Sequence, residues 1–207
     1  MKTQTACVSL VNEVIHPGKI VCIGRNYVAH IEELNNQRSD QMVVFMKPAS
    51  AITETLHSSL DESLHYEAEI CLMIGQTGIK AVGFGLDLTK RSLQSELKQK
   101  GLPWERAKAF DGSALFSEFV GLKDISQSLE IKLYVNSEIR QQGSSDMMLY
   151  PPETILEELD GFVSLQENDI IMTGTPSGVG QVNPGDHFNG QILQHGQVLT
   201  NAEWTAV

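Results

Sequence analysis

The chain has 207 residues, of which 41% are hydrophobic and 20% are charged, a composition that is ordinary for a soluble globular protein. Fifteen basic and 26 acidic residues give a net charge of −11, which argues against nucleic acid or an anionic membrane as a partner, because both bind basic surfaces. The three cysteines, Cys7, Cys22 and Cys71, are widely spaced and indicate neither a disulfide framework nor a metal motif. These cysteines suit a reducing cytoplasm, and no apolar run approaches the roughly 20 residues of a membrane span, so we expect a cytoplasmic protein. Because the sequence has no internal repeat and no clear linker, we expect one domain over residues 1–207.

The first apolar run and the segment after it predict a strand followed by a helix. Residues 19–24 end in glycine and predict a buried strand, and residues 25–36 predict a helix from their apolar spacing. The apolar residues at helical spacing are Tyr27, Ile31 and Leu34. His30 and Glu33 share one face of this helix, and a carboxylate beside an imidazole orients the ring and raises its basicity, as a general base requires. An exposed pair on the helix surface is the alternative.

Three carboxylates lie on two predicted strands. Glu67 and Glu69 are two residues apart in the strand predicted over residues 65–75, so both side chains project from one face. Two carboxylates this close repel each other unless a proton or a cation intervenes, and Mg²⁺ or Mn²⁺ suits a site made only of oxygen atoms. Asp87 is the single acid in the apolar run 81–88 and is costly to bury unless it is paired or binds a cation. The alternative is a solvated strand face with exposed glutamates.

The segment after Asp87 predicts a second helix, over residues 89–101. Thr89 is expected to cap its start, and Gly101 is expected to end it. Arg91 and Gln94 are three residues apart and therefore share a face near the start of the helix. This face is either a binding surface or plain exposed helix.

Two lysines occupy positions that their surroundings alone do not explain. Residues 42–53 predict a strand that runs into a proline turn, and Lys47 lies near the end of this strand, where it is either solvated or holds a substrate carboxylate. Lys108 lies between two alanines in the irregular segment 102–121, and its own surroundings say little about its role.

A glycine-rich loop, residues 174–180, follows a short apolar strand. It lacks the Gly-Lys-Ser/Thr ending of a phosphate-binding loop, and no predicted helix follows it. Such a loop either brings backbone N–H groups and Thr175 close to a small ligand or is a tight structural turn.

Turn residues divide the rest of the C-terminal half into short elements. Residues 131–143 predict a hairpin, residues 144–165 hold a short helix, and residues 186–207 predict short strands. The predicted turns are Asn136-Ser137 in the hairpin, then Asn189-Gly190 and His195-Gly196.

Six motifs occur in the order in which the fumarylacetoacetate hydrolase family carries them. They are Gly24-Arg25-Asn26-Tyr27 with His30 and Glu33, Phe45-Met46-Lys47-Pro48, His65-Tyr66-Glu67-x-Glu69, Leu86-Asp87-Leu88-Thr89-x-Arg91, Lys108-Ala109-Phe110-Asp111 and Gly174-Thr175-Pro176-x-Gly178-Val179-Gly180. The chain resembles the small single-domain members of this family, of the acylpyruvate hydrolase and oxaloacetate decarboxylase type. The resemblance covers nearly the whole chain and is specific to the family but not to the substrate.

The resemblance implies a mostly β (α+β) fold like the C-terminal domain of the family, a rolled mixed β-sheet or distorted barrel with a few short helices, usually as a homodimer. It implies a metal, Mg²⁺ or Mn²⁺, on Glu67, Glu69 and Asp87. His30 and Glu33 match a catalytic dyad, and Lys108 matches a catalytic lysine near the reacting carbonyl. The residues that match substrate-binding segments are Arg25, Tyr27, Lys47, Arg91, Gln94 and Thr175.

The function that the resemblance implies is a divalent-metal-dependent hydrolase of small 2-oxo acids. It would cleave a carbon–carbon bond in a 3-acylpyruvate-type 2,4-dioxo acid and release pyruvate and a carboxylic acid. An oxaloacetate decarboxylase or a 2-oxo acid tautomerase would use the same metal-enolate site and stays open as an alternative. A non-catalytic small-molecule-binding protein on the same scaffold is the alternative from another class.

Overall fold

The computed structural model of the chain describes residues 6–33, 40–122 and 124–207. This part of the chain is mostly β, with four short helices. The helices are α1 (Val28–Glu33), α2 (Arg91–Gln99), α3 (Glu105–Lys108) and α4 (Pro152–Asp160). The strands are β1 (Val8–Leu10), β2 (Glu13–Ile15), β3 (Lys19–Gly24), β4 (Val43–Pro48), β5 (Ser59–Leu60), β6 (Glu62–Tyr66), β7 (Ala68–Gly75), β8 (Gly78–Asp87), β9 (Thr89–Lys90), β10 (Ala114–Phe116), β11 (Val120–Gly121), β12 (Glu130–Val135), β13 (Glu138–Ser144), β14 (Ile170–Met172), β15 (Gly180–Gln181), β16 (His187–Gln194) and β17 (Gln197–Thr205).

A curled, seven-stranded sheet forms the centre of the fold. Its order is β10-β8-β7-β14-β3-β4, with β11 also paired to β8. The pair β14 and β3 is parallel, and the other pairs in this sheet are antiparallel. The sheet is therefore mixed, and the predicted mostly β fold with a rolled mixed sheet and a few short helices is confirmed.

A second, antiparallel sheet packs against the first and encloses the larger part of the core. Its order is β13-β12-β16-β17, and apolar residues from both sheets form one buried cluster. Phe84 on β8 joins the two layers, since its ring lies 6.1 Å from that of Trp204 on β17. Tyr66 on β6 also meets Phe188 on β16 edge to face at 5.2 Å. None of the described helices is long and apolar enough to cross a membrane.

The register of the β7–β8 hairpin places the acidic residues at one end of the central sheet. Ala68 pairs with Leu86, and the N–H of Asp87 donates a 2.8 Å hydrogen bond to the carbonyl oxygen of Glu67. Asp87 at the end of β8 therefore lies opposite Glu67, just before β7. The helices α2 and α3 follow directly along the chain and lie beside this end of the sheet.

Two helices differ from their predicted bounds. The first covers Val28–Glu33, and Leu34 and the rest of the predicted end of this helix, up to residue 36, lie outside the described residues. The second begins at Arg91, and no side chain caps it. The predicted cap by Thr89 is wrong because its hydroxyl group is engaged by the ammonium group of Lys108 at 2.6 Å. The predicted end is confirmed, since Gly101 follows with φ +64°.

The predicted turn at Asn189-Gly190 is also wrong. Strand β16 runs through both residues without a break. A Cβ atom at position 190 would overlap the ring of Phe84, so Gly190 is needed for sheet packing and not for a turn. The predicted turns at His195-Gly196 and Asn136-Ser137 are confirmed, and all four of their residues have positive φ.

We expect Gly190→Ala to lower the free energy of unfolding by about 1–3 kcal/mol, because the added methyl group overpacks the layer beside Phe84. Gly121→Ala is the matched control, since nothing lies within 4 Å of a Cβ atom at that strand position. Urea unfolding of both variants measures the effect. Equal stability of the two variants would contradict the proposed role of Gly190.

Candidate active site

Three buried carboxylates converge at the end of the β7–β8 hairpin. Glu67 lies in the short break between β6 and β7, Glu69 lies on β7, and Asp87 ends β8. Their exposed fractions are 6%, 2% and 0%. One carboxylate oxygen from each residue lies within 4.8 Å of those of the other two. The convergence that the sequence predicts is therefore present, in an oxygen-only environment that suits a hard divalent cation.

Three cationic side chains surround two of these carboxylates. The ammonium group of Lys108 donates hydrogen bonds to Glu67 at 2.8 Å and to Asp87 at 2.7 Å. Lys47 contacts the other oxygen of Asp87 at 2.8 Å, and Arg91 contacts the other oxygen of Glu67 at 2.5 Å. Lys108 thus bridges Glu67 and Asp87, and its ammonium group takes the place of a shared cation between them.

Glu69 lacks such a partner. Among the described residues no cationic group lies within 4.0 Å of it, and its carboxylate accepts a 2.7 Å hydrogen bond from the N–H of Gly174. Burial, with the charges of Asp87 and Glu67 added, raises the pKa of Glu69 well above its usual value. Burial acts on Glu67 in the same direction, but Lys108 and Arg91 outweigh it and hold the pKa of Glu67 well below its usual value.

The residues present fit a divalent cation. Glu69 is a buried carboxylate without a counter-charge, and the ion contact of Asp87 Oδ1 with Lys47 lacks the alignment of a hydrogen bond. A buried carboxylate without a cation is costly. A hard cation bound to all three residues would remove that cost, so Glu67, Glu69 and Asp87 could hold a metal.

The predicted His–Glu pair is present, and its histidine, His30, lines the same cleft. The Nδ1 atom of His30 lies 3.4 Å from Glu33, whose two carboxylate oxygens accept hydrogen bonds from the N–H of Gly178 at 3.0 and 3.1 Å. Burial lowers the pKa of His30, although Glu67 and Glu33 oppose this effect. A neutral imidazole that a carboxylate orients is able to accept a proton at neutral pH.

The backbone of the glycine-rich loop binds two carboxylates, those of Glu69 and Glu33. Gly174 and Gly178 have φ of +102° and +100°, and a Cβ atom at Gly178 would overlap the carbonyl oxygen of Arg140. Their N–H groups bind Glu69 and Glu33, so the loop holds protein carboxylates where the sequence suggested direct contact with a ligand. Thr175 lines the cleft.

Most of the predicted site residues line one cleft, which comprises about 380 Å³ including the space open to solvent. The predicted residues that line it are Arg25, His30, Glu67, Glu69, Asp87, Arg91, Gln94, Lys108 and Thr175. The structure does not bring Glu33, Tyr27 or Lys47 to this lining, and Glu33 acts on the cleft only through its contact with His30. Tyr27 is buried in the core, where burial and Glu69 raise its pKa, and Lys47 is fully buried against Asp87.

Sequence reasoning missed several cleft residues, among them Lys98 and Trp104, and one residue that supports the cleft. Lys98 and Trp104 line the cleft, and the helical spacing of Lys98 after Arg91 and Gln94 was a usable signal. Gln141 on β13 is buried, donates to the hydroxyl oxygen of Thr175 at 2.7 Å and accepts from the N–H of Ala68 at 2.9 Å. No local pattern marks Gln141, because its partners come from distant strands and loops.

Comparison with known proteins agrees with this architecture. The family model for the fumarylacetoacetate (FAA) hydrolase C-terminal domain matches residues 19–202. The oxaloacetate tautomerase FMP41, a mitochondrial protein of Saccharomyces cerevisiae, is 36% identical over 86% of this chain and 87% of its own. The oxaloacetate tautomerase YcgM of Escherichia coli is 35% identical over 84% of this chain and 90% of its own.

A solved structure extends the similarity to the fold. Fumarylpyruvate hydrolase from Pseudomonas aeruginosa, crystallised in complex with Mn²⁺ and pyruvate, superposes with a TM-score of 0.87 at 28% identity. The match covers 97% of this chain and 95% of that one. With the matching motifs, the mixed sheet and the converging carboxylates, these similarities show that the chain belongs to the fumarylacetoacetate hydrolase family.

Proposed function

We propose that this protein catalyses the interconversion of the enol and keto forms of oxaloacetate, with Mg²⁺ or Mn²⁺ on Glu67, Glu69 and Asp87. One observation carries the proposal: the His30 imidazole, which contacts Glu33, lies in the same cleft as a carboxylate cluster that suits a divalent cation. The relatives that match most of the chain at 35–36% identity are named oxaloacetate tautomerases. The Mn²⁺ in the fumarylpyruvate hydrolase structure supports the choice of ion.

When bound, the divalent cation would supply Lewis-acid stabilisation of negative charge on the 2-oxo oxygen of the substrate. His30 would carry a proton from C3 of the keto form to the 2-oxo oxygen, which gives the enol, and from the enol hydroxyl group back to C3 in the reverse direction, while Glu33 keeps the ring oriented. Burial lowers the pKa of Lys108, but Asp87 and Glu67 outweigh burial and raise it. Lys108 therefore stays protonated and adds a fixed positive charge beside the reacting oxygen.

Carbon–carbon bond hydrolysis is the second candidate, favoured by the similarity to fumarylpyruvate hydrolase. In that reaction His30 would take a proton from water, and the water would attack the distal acyl carbonyl. We rank it after tautomerisation because the named tautomerases are the nearer of these relatives in sequence. Decarboxylation of oxaloacetate needs no attacking water and remains a third use of the same residues.

We expect the wild-type protein to accelerate the loss of enol-oxaloacetate absorbance in a Mg²⁺-dependent manner, and chelator to abolish this activity. It should act more slowly on acetylpyruvate and fumarylpyruvate. Faster hydrolysis of either compound would replace the proposed reaction with the second candidate. A protein that accelerates neither the ketonisation of oxaloacetate nor the hydrolysis of acetylpyruvate or fumarylpyruvate would favour the non-catalytic binding protein.

His30→Gln should lower kcat for enol-oxaloacetate by about 10²–10⁴-fold, because the proton acceptor is removed. His195→Gln changes an exposed histidine in the β16–β17 turn and serves as the control, with kcat close to that of the wild type. Stopped-flow absorbance measures both variants. A His30→Gln variant with the wild-type rate would rule out the dyad as the proton-transfer group.

A further inference from the structure

One face of α2 carries three polar side chains into the cleft: Arg91, Gln94 and Lys98. They follow one another at spacings of three and four residues, which places them in a row along the helix. Arg91 is engaged by Glu67 and by the side chain of Gln94, at 2.5 and 2.8 Å. Two of the three residues are thus accounted for by their contacts within the protein.

Lys98 differs from its neighbours because no carboxylate in the described ranges lies within 4.0 Å of its ammonium group. The side chain is half-buried, and its Nζ atom lies over the ring of Trp104, 4.9 Å from the centroid. Burial lowers the pKa of Lys98 to about 8, and the nearby cations Arg25 and Arg91 act in the same direction. A partly buried ammonium group among other cations is unfavourable by itself, and an anion in the cleft would relieve the repulsion.

The balance of charged side chains in the cleft is compatible with a bound anion. Glu67 and Asp87 are paired with the three cations Lys47, Arg91 and Lys108, whereas Glu69 has no cationic partner among the described residues. Lys98 comes in addition, on the Trp104 side of the cleft, and the Arg25 guanidinium lies near the same ring, 5.8 Å from its centroid. A divalent cation on the carboxylates would raise the positive charge further, which favours a substrate with two negative charges over one with a single charge.

We infer that Lys98 binds the second carboxylate of a 2-oxo dicarboxylic acid whose first carboxylate and 2-oxo group lie at the cluster of Glu67, Glu69 and Asp87. This inference rests on the proposed function and adds the substrate class to it. Trp104 has a positioning role, because its ring holds the ammonium group at the cleft. Lys98 thereby selects dicarboxylic over monocarboxylic 2-oxo acids.

Steady-state kinetics with two substrates test this selectivity. Enol-oxaloacetate carries the second carboxylate, and enol-phenylpyruvate carries a phenyl ring in its place. Lys98→Met should raise KM for oxaloacetate about tenfold or more, as expected for the loss of a hydrogen bond to a charged group. It should change kcat for oxaloacetate little and leave KM for phenylpyruvate unchanged, while Lys98→Arg should restore most of the affinity for oxaloacetate.

The matched control is Lys100→Met. Lys100 lies two residues further along the chain, with an exposed side chain that pairs with Glu96. It should behave as the wild type with both substrates. Equal effects of Lys98→Met on the two substrates, or no effect on either, would overturn the inference.

A binding measurement separates this inference from the proposed reaction. N-oxalylglycine and N-methyloxamate differ only in the distal carboxylate, and neither can tautomerise as oxaloacetate does. With Trp204→Phe as background, Trp104 is the remaining tryptophan, and its fluorescence reports occupancy of the cleft in the presence of Mg²⁺. The Trp204→Phe protein should bind N-oxalylglycine about tenfold or more tightly than N-methyloxamate. Adding Lys98→Met should remove this preference.

The two failures are distinguishable. Lys98-dependent preference for N-oxalylglycine without acceleration of oxaloacetate ketonisation would refute the proposed reaction and retain the role of Lys98. Acceleration of ketonisation with no preference between the analogues, or with a preference that survives in Lys98→Met, would refute the role of Lys98 and retain the reaction.

Discussion

Glu69→Gln is expected to abolish binding of the divalent cation and to leave the protein folded. The carboxylate of Glu69 is buried beside Glu67 and Asp87, and no cationic group of the described residues pairs with it. The neutral amide removes a repelling charge, so the stability of the metal-free protein should be equal to that of the wild type or higher. The same change removes a ligand. Because loss of outer-shell groups already costs about 10–100-fold in metal affinity, we expect a loss of about 100-fold or more.

Thermal unfolding with and without Mn²⁺ measures both effects of Glu69→Gln. A bound cation stabilises the folded state by mass action, so Mn²⁺ should raise the Tm of the wild type and leave that of the variant unchanged. Glu157→Gln, which alters an exposed glutamate of α4, should retain the full response. A Glu69→Gln variant that still gains stability from Mn²⁺ would remove Glu69 from the ligand set.

Lys108→Met should strongly destabilise the metal-free protein. Its ammonium group is almost fully buried and bridges Glu67 and Asp87, and removing one partner of a buried ion pair costs about 3–5 kcal/mol. The pKa of Lys108 is raised in the folded state, so its contribution is fully present at neutral pH and is lost only as the pH rises through the folded-state value. Catalysis should also fall, because a fixed positive charge at the reacting oxygen is lost.

The control for Lys108→Met is again Lys100→Met, which changes an exposed lysine and should leave stability unchanged within about 0.5 kcal/mol. Urea unfolding should be repeated with Mg²⁺ present, because a divalent cation would supply the missing positive charge and restore much of the lost stability. Lys108→Met with the stability of the wild type in chelator would contradict the bridging role.

The sequence predicted the elements whose formation depends on local pattern. The apolar run at residues 19–24 became β3 with the same bounds, and Asn136-Ser137 formed the expected hairpin turn. The wrong predictions concern residues whose conformation depends on a contact with a residue far away in the sequence. Gly190 lies within a strand because the ring of Phe84, more than 100 residues earlier, occupies the space of its side chain. Thr89 does not cap α2 because Lys108 engages its hydroxyl group.

The residues of the candidate site likewise fall into those that local spacing could place and those that depend on contacts between distant segments. Glu67 and Glu69 could be placed together from their spacing, and His30 and Glu33 from helical spacing, because each pair lies within one segment. The strand predicted over residues 65–75 is not continuous, since Glu67 lies in a break between β6 and β7. The helical spacing of Lys98 after Arg91 and Gln94 places it on their face, but what distinguishes it, the ring of Trp104 and the nearby charge of Arg25, comes from other segments. The contact of Lys47 with Asp87 likewise depends on how β4 and β8 approach each other, which neither strand encodes alone.

The convergence of Glu67, Glu69 and Asp87 on one divalent cation is tested most directly by anomalous diffraction from crystals soaked in Mn²⁺. We expect one strong anomalous peak per chain, bonded to a carboxylate oxygen of each of the three residues. The same soak of Glu69→Gln crystals should show no peak at this position. An absent peak in wild-type crystals, or a peak bonded to other residues only, would contradict the metal site on which the proposed chemistry depends.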